Sequence, residues 1–302
     1  MEVPQLLIDL TELRQAIDGA LENYTRDATG APQRLVGAMR YSVLAPGKRL
    51  RPLLTLLASQ AISGNWDAAI PAACAIEFIH VYSLIHDDLP SMDDDDLRRG
   101  QPTCHRQYDE ATAILAGDSL QMLAIEVLCK AYDCELAAKC CEIVAVSAGR
   151  QWLVGGQADD LAAEGRYGQV EIANELRFDY LKSIHRRKTG AIIEASLRLG
   201  GVVASASEAQ IQHLCEYGQA LGLAFQITDD CLDVDGTVEQ LGKQTRKDST
   251  HGKLTYPRVL GLEGSRQLVS ELIANACQAV SSFGETAAGL VQIARFVEQR
   301  RS

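Results

Sequence analysis

Six aspartates crowd ten positions of this chain, Asp87, Asp88, Asp93, Asp94, Asp95 and Asp96, and Arg98 and Arg99 follow at once. At neutral pH such a cluster repels itself by about 1 kcal/mol per close pair even at the dielectric of water, so it calls for cations. A charge run is ordinarily a solvated loop. Here the apolar run CAIEFIHVYSLI, Cys74 to Ile85, carries the first two carboxylates out of a buried helix, and Pro90 turns the chain because proline cannot continue the helical ladder. A second cluster, Asp229, Asp230 and Asp233, closes another apolar stretch. Asp229 and Asp233 are four residues apart, roughly 40° in helical projection, and share one face. Alone, such a helix end is an ordinary surface feature. Two of them suit Mg²⁺, which takes oxygen ligands and usually pairs one or two carboxylates with substrate phosphate. The pattern therefore predicts a polyphosphate site.

Such a site also needs fixed positive charge. Lys48 and Arg51 lie three apart at a helix start, so both can address one anion. Arg98 and Arg99 sit directly behind the first cluster; Lys188 lies in RRKTG, Lys243 in LGKQ and Lys253 in HGKLTYP. Each lysine alone is more often a solvated charge. His80 precedes Asp87 by seven residues, two turns below it on the same stripe, although a histidine in an apolar helix is usually a satisfied core group.

The elements that must hold these groups read as helices. Leu6, Leu10, Leu13, Ile17 and Leu21 recur at helical spacing. Further helical patterns cover 33–43, 51–62, 67–88, 107–131, 135–154, 170–201, 207–233, 256–283 and 285–300, while 155–168 reads as looser and strand alternation is nearly absent. The expectation is an all-α protein, one domain over 1–302, with about ten or more helices around a central apolar cavity. With 302 residues, 47% of them hydrophobic, the chain has material for a large core, and its net charge of −11 excludes nucleic acid as a natural partner. No apolar run reaches the roughly 18 residues of a membrane span, and MEVPQLLIDL lacks a positive flank and the form of a signal peptide. Nine cysteines without a CxxC pair point to neither a disulfide framework nor a zinc site, and to a reducing, cytoplasmic setting.

PGKRLRP (Pro46 to Pro52), DDLPSMDDDDLRRGQPTCH (Asp87 to His105), AILAGDSL (Ala113 to Leu120), GGQADDL (Gly155 to Leu161), HRRKTG (His185 to Gly190), GLAFQITDDCLDV (Gly222 to Val234) and LGKQ…GKLTYP together resemble the short-chain trans-isoprenyl diphosphate synthases, most nearly the bacterial farnesyl diphosphate synthases. The resemblance implies that Asp87 and Asp93, with Asp88 in support, hold two of three Mg²⁺ ions, and that Asp229, with Asp230 and Asp233, holds the third. It implies that Lys48, Arg51, His80 and Arg99 hold isopentenyl diphosphate, and that Arg98, Lys188, Lys243 and Lys253 hold the allylic diphosphate. Thr189 and Gln226 would lie near the developing allylic cation, and the active form would be a homodimer. Arg300 and Arg301, in the tail, would fold over the diphosphate as basic tails do in some relatives.

In that family the residues four and five before the first aspartate, here Ser83 and Tyr82, form the floor that limits product length. An aromatic at the fifth position and two extra residues inside the first motif resemble enzymes that stop at fifteen carbons. On an ideal helix Tyr82 projects about 140° from Asp87, so the floor role rests on resemblance, and a plain core role for Tyr82 stays open. The alternatives are the same fold making geranylgeranyl or geranyl diphosphate, a terpene cyclase, and a non-catalytic helical module binding cations. A cyclase would leave Lys48, Arg51 and His80 without an isopentenyl diphosphate to hold, and the acidic loops lack the ligand spacing of an EF-hand.

Overall fold

Helical periodicity and turn residues together account for the elements seen in the computed structural model, which describes residues 6–26, 30–168, 176–235 and 255–300. These residues form thirteen α-helices and one two-residue hairpin, so the all-α expectation holds. By packing they divide into two compact units: Met1–Val144 with Arg198–Ala206, and Ala145–Leu197 with Ser207–Ser302.

The first unit begins with α1 (Leu6–Tyr24), α2 (Gln33–Val43) and α3 (Leu50–Ser63). Leu10, Leu13, Ile17 and Leu21 of α1 are buried, as their spacing requires. Helix α4 (Ile70–Asp87) follows a single 3₁₀ turn, Asp67–Ala69, and carries Pro71 in its first turn, where the missing N–H costs nothing. It is buried at every position from Ala72 to Ile79. Strands β1 (Leu97–Arg98) and β2 (Gln101–Pro102) pair antiparallel, Leu97 opposite Pro102 and Arg98 opposite Gln101. Their two-residue turn places Arg99 and Gly100 at φ 54° and 77°, the left-handed values that a tight hairpin of this kind demands. Helices α5 (Cys104–Gln107), α6 (Glu110–Ala131) and most of α7 (Cys134–Ala148) complete the unit, with the end of α10 (Ala191–Val203). Asp109 caps α6 by accepting the Thr112 N–H at 2.7 Å, which with Arg34 holds its carboxyl at about 2.

The second unit holds α8 (Leu153–Ala163), α9 (Arg177–His185), a π-helical turn over Arg186–Gly190, the start of α10, α11 (Glu208–Asp235), α12 (Tyr256–Ala279) and α13 (Ala288–Gln299). Tyr217 of α11 is fully buried and its phenol donates to the Leu290 carbonyl of α13 at 2.7 Å, satisfying the one polar group that burial would otherwise penalise.

Three expectations need adjusting. The stretch read as loose, 155–168, is largely α8: two glycines lower helix propensity by about 1 kcal/mol each, yet Gly156 is where α8 meets the π-helical turn. The long pattern over 256–283 is bent at Gly261, φ 73°. Finally, Asp67–Asp87 and Glu110–Ala131 are each long and apolar enough to cross a membrane by length and composition, with 67% and 44% of the apolar window buried. Counting only uninterrupted apolar residues missed them, because Glu77 and Asp118 interrupt the runs. Helix α4 spends that length as core.

Candidate active site

In the first unit the PGKRLRP turn is assembled around a buried ion pair. Arg49, at φ 51° just ahead of α3, is buried and donates to Glu77 Oε1 of α4 and to Asp18 Oδ1 of α1, both at 2.9 Å. Burial opposes the Arg49 charge, but Glu77 and then Asp18 more than offset it, and the guanidinium pKa rises. The turn's carbonyls are taken as well: Arg14 donates to Gly47 O at 2.8 Å and Arg99 to Pro46 O at 2.9 Å. Any side chain at Gly47 would run into the Arg99 guanidinium. At the second position of α3, Arg51 Nη1 lies 3.2 Å from His80 Nε2. Since Arg51 can only donate, His80 accepts and carries its proton on Nδ1.

These groups crowd one another electrostatically. His80 is pushed well below the ordinary imidazole range by burial and then by Arg51, Arg99, Arg98 and Arg49. Arg99 is lowered by burial, with Arg49 and Arg98 adding to it against the pull of Glu77. Excess positive charge that depresses its own members favours an anion.

The acidic loop begins where α4 ends. Its backbone folds back on itself: Asp93 N–H donates to Asp87 O at 2.8 Å, Asp94 to Leu89 O at 3.1 Å and Asp95 to Asp88 O at 3.2 Å. Asp94 takes φ 52° to do so. This closure brings Asp93, six residues on, beside Asp87. Asp88 is different: it is 3% exposed and receives Arg98 Nε at 2.7 and 2.9 Å on its two oxygens, with Nη2 at 2.5 Å from Oδ1. Asp96 pairs with Arg106 at the surface, 2.9 Å apart.

Tyr82 lies on the face of α4 turned to α6. Its ring meets His86 edge-on at 5.8 Å, and His86 Nε2 lies 3.2 Å from the Ile114 carbonyl of α6. Gly117 makes the notch; a side chain there would overlap the His86 ring. Burial and then Asp87 push the Tyr82 phenol to about 12. Ser83, half-buried, bonds back to the His80 carbonyl at 2.8 Å.

In the second unit the RRKTG segment forms the π-helical turn, a form common at functional positions. Two glycines admit it: a Cβ on Gly156 of α8 would strike the Lys188 backbone, and one on Gly222 of α11 would sit 3.2 Å from Gly190 Cα. Lys188 Nζ reaches Asp160 at 2.6 Å and Arg187 reaches Asp159 at 2.5 Å. A hydrogen-bond chain then runs from Thr189 Oγ1 to Gln226 Oε1 (3.3 Å), from Gln226 Nε2 to Asp230 Oδ1 (3.2 Å), and from the Tyr256 N–H to Asp230 Oδ2 (3.0 Å). Asp230, 6% exposed, thereby caps α12. Asp229 Oδ1 pairs with Arg300 Nη1 at 2.8 Å, and the same guanidinium covers the Phe225 ring at 4.9 Å. Asp233 is exposed one turn further along α11.

The polyprenyl synthetase family model matches residues 32–288. The chain belongs to the polyprenyl synthetase family. Within it, the chain is 40% identical to farnesyl diphosphate synthase of Geobacillus stearothermophilus over 96% of both chains. It is 39% identical to heterodimeric geranylgeranyl pyrophosphate synthase large subunit 2 of Arabidopsis thaliana over 98% of this chain and 77% of that one. Among solved structures, the FPP/GFPP synthase of Zymomonas mobilis superposes with a TM-score of 0.85 at 36% identity, covering 97% and 98% of the two chains. A geranyltransferase of Legionella pneumophila gives 0.84 at 31% identity, covering 98% and 97%. This polyprenyl synthetase is accordingly a prenyltransferase with the all-α fold of its solved relatives.

Against the sequence reading, Arg51 and His80 are joined directly, Arg99 reaches the turn that presents Lys48, and Asp93 comes beside Asp87. Thr189, Gln226 and Asp230 share one chain of hydrogen bonds. Asp88 and Arg98 are bonded to each other, a pairing not foreseen for either. Arg300 lies on Asp229. Lys243, Lys253 and Arg301 lie outside the described residues. Sequence reasoning missed Arg49, Glu77 and the aspartates 159 and 160 of GGQADD. The signal for Glu77 was present: it is the single charge in a twelve-residue apolar run, and a lone buried charge implies a partner.

Proposed function

We propose that this prenyltransferase condenses isopentenyl diphosphate head-to-tail with dimethylallyl and then geranyl diphosphate, giving (2E,6E)-farnesyl diphosphate and diphosphate. The observation that carries the reading is geometric: Arg51 lies 3.2 Å from His80 and Arg99 reaches the carbonyl of Pro46 in the turn that presents Lys48, a gathering of basic groups that suits an anion, in the same unit as the acidic loop, and that a cyclase would not need. Lys48, Arg51, His80 and Arg99 hold the isopentenyl diphosphate; Arg98, Lys188, Lys243 and Lys253 hold the allylic diphosphate.

The acidic groups fit Mg²⁺ by donor chemistry: Asp87 is half-buried at a helix end, the exposed Asp93 is bonded beside it, and Asp229 and Asp233 share one face of α11. When bound, three Mg²⁺ ions would supply electrostatic neutralisation of the departing diphosphate. Asp88 supports that shell from behind, by fixing Arg98 at the base of the loop, and Asp230 supports it by anchoring α12 beside Gln226. Thr189 and Gln226 present oxygen lone pairs to the allylic cation, and apolar walls keep water from it. The isopentenyl double bond then attacks, and the proton lost leaves with diphosphate. Arg300, paired with Asp229, would be at hand to hold the diphosphate when Mg²⁺ is bound.

Tyr82 supports fifteen carbons as the stopping length, since its buried ring is braced on His86. Geranylgeranyl diphosphate is the second reading, favoured by the names of the plant relatives. We also assign the chain to one catalytic domain, a cytoplasmic location and a homodimer. A close relative is named as a subunit of a heterodimer, and α6 leaves Leu115 and Met122 exposed for a partner copy. Labelled isopentenyl diphosphate with each allylic starter, with and without Mg²⁺, followed by sizing of the products, tests the reaction and its length. Asp87→Ala and Asp229→Ala should each lower turnover by several orders of magnitude with the fold intact; near-normal Mg²⁺-dependent activity would sink the metal assignment.

A further inference from the structure

Cys129, in the last turn of α6, and Cys141, midway along α7, bring their Sγ atoms to 3.9 Å. The two helices are joined by a short, well-tied turn. Asp133 accepts the N–H groups of Glu135 and Leu136 at 3.1 and 2.9 Å, and Tyr132 donates its phenol to the Ala68 carbonyl at 2.8 Å. Most cysteines of the chain, Cys74, Cys104, Cys140, Cys215 and Cys231, are buried and serve as small apolar side chains. This pair differs: Cys129 is exposed and Cys141 half-buried, so one sulfur meets solvent while its neighbour waits beneath it.

We propose that Cys129 and Cys141 form a dithiol modification site that takes a small disulfide of the glutathione class as its oxidant. The Cys129 thiolate attacks one sulfur of the small disulfide and expels the first small thiol, leaving a mixed disulfide. Cys141 then loses its proton to water and attacks Cys129 Sγ, expelling the second. Two protein thiols and one small disulfide become one protein disulfide and two small thiols. A disulfide bond is about 2.05 Å long, so the sulfurs must close by a little under 2 Å, within reach of side-chain rotation on two facing helices. Burial and the neighbouring Cys129 thiol raise Cys141 to about 11. The Cys141 thiolate fraction, and with it the rate of ring closure, therefore rises about tenfold per pH unit below that value. The site is independent of the prenyl-transfer reading.

The test uses the full chain with Cys134→Ser, which removes a second exposed thiol, incubated with glutathione disulfide from pH 7 to 9 and mapped by peptide mass spectrometry. The expected product is a Cys129–Cys141 cross-link with loss of two hydrogens, formed about tenfold faster per pH unit, and a rise of a few degrees in Tm because the link closes a short loop. Cys141→Ser should instead stop at a glutathione adduct on Cys129. A wild-type Cys129 that stays unreacted, or that keeps its adduct without closing, overturns the proposal.

Discussion

Replacing Glu77 by Gln removes the charge that faces Arg49 inside the first unit. The two side chains are 4% and 3% exposed and 2.9 Å apart, so the change strands a guanidinium rather than trimming a surface pair. Breaking a buried pair from one side costs about 3–5 kcal/mol. Two features place Glu77→Gln near the lower end, about 3 kcal/mol. The amide still offers an acceptor oxygen, and Asp18 still bonds Arg49 at 2.9 Å, although Asp18 is 54% exposed and its charge is correspondingly screened. Glu77→Ala has neither amide nor packing and falls near the upper end, about 5 kcal/mol. Urea denaturation followed by circular dichroism measures both. Replacing both members, Arg49→Met with Glu77→Leu, should recover most of the loss, since apolar substitutes for a buried pair are often neutral. Because Arg49 lies between Lys48 and Arg51, KM for isopentenyl diphosphate should rise in Glu77→Gln while KM for the allylic substrate stays put. A Glu77→Gln protein within about 0.5 kcal/mol of wild type, with both KM values unchanged, would refute the account of how this turn is held.

Tyr82→Ala should lengthen the product beyond fifteen carbons, and an unchanged product on chromatography would return Tyr82 to a plain core role. Gly156→Ala drives a methyl group into the Lys188 backbone, which cannot swing aside as a side chain can; a loss of about 1–3 kcal/mol in thermal denaturation is expected, and a wild-type melting curve would speak against the contact. His80 resists protonation in the folded state. As pH falls below about 6.5 the unfolded chain takes up a proton that the folded chain declines, so stability drops toward pH 5. His80→Gln should flatten that part of the curve, and an identical slope in the variant would show that other groups set it.

The motifs told more about chemistry than about support. Helical spacing located α1 through its buried leucines, and the two aspartate clusters do close apolar helices. What periodicity misses is any conformation justified by a distant neighbour. The GG of GGQADDL lowers helix propensity locally, yet forms a helix because Gly156 lets the π-helical turn approach. Asp88 looks like Asp87 in sequence, and only the hairpin that returns Arg98 ten residues later tells the two apart. Glu77 was visible as an anomaly, but its partner, Arg49, sat in a turn 28 residues away.

The folded-back acidic loop has a thermodynamic consequence of its own. Asp93, Asp94, Asp95 and Thr103 all donate their amides to carbonyls at the loop's base or stem. Ordering one residue of backbone costs about 1–2 kcal/mol, and here that penalty is met once, when the chain folds, rather than at each encounter with a ligand. Capture of a dication should therefore show an entropy dominated by released water, with little added protection of these amides in hydrogen exchange. The loop behaves as a mould already set.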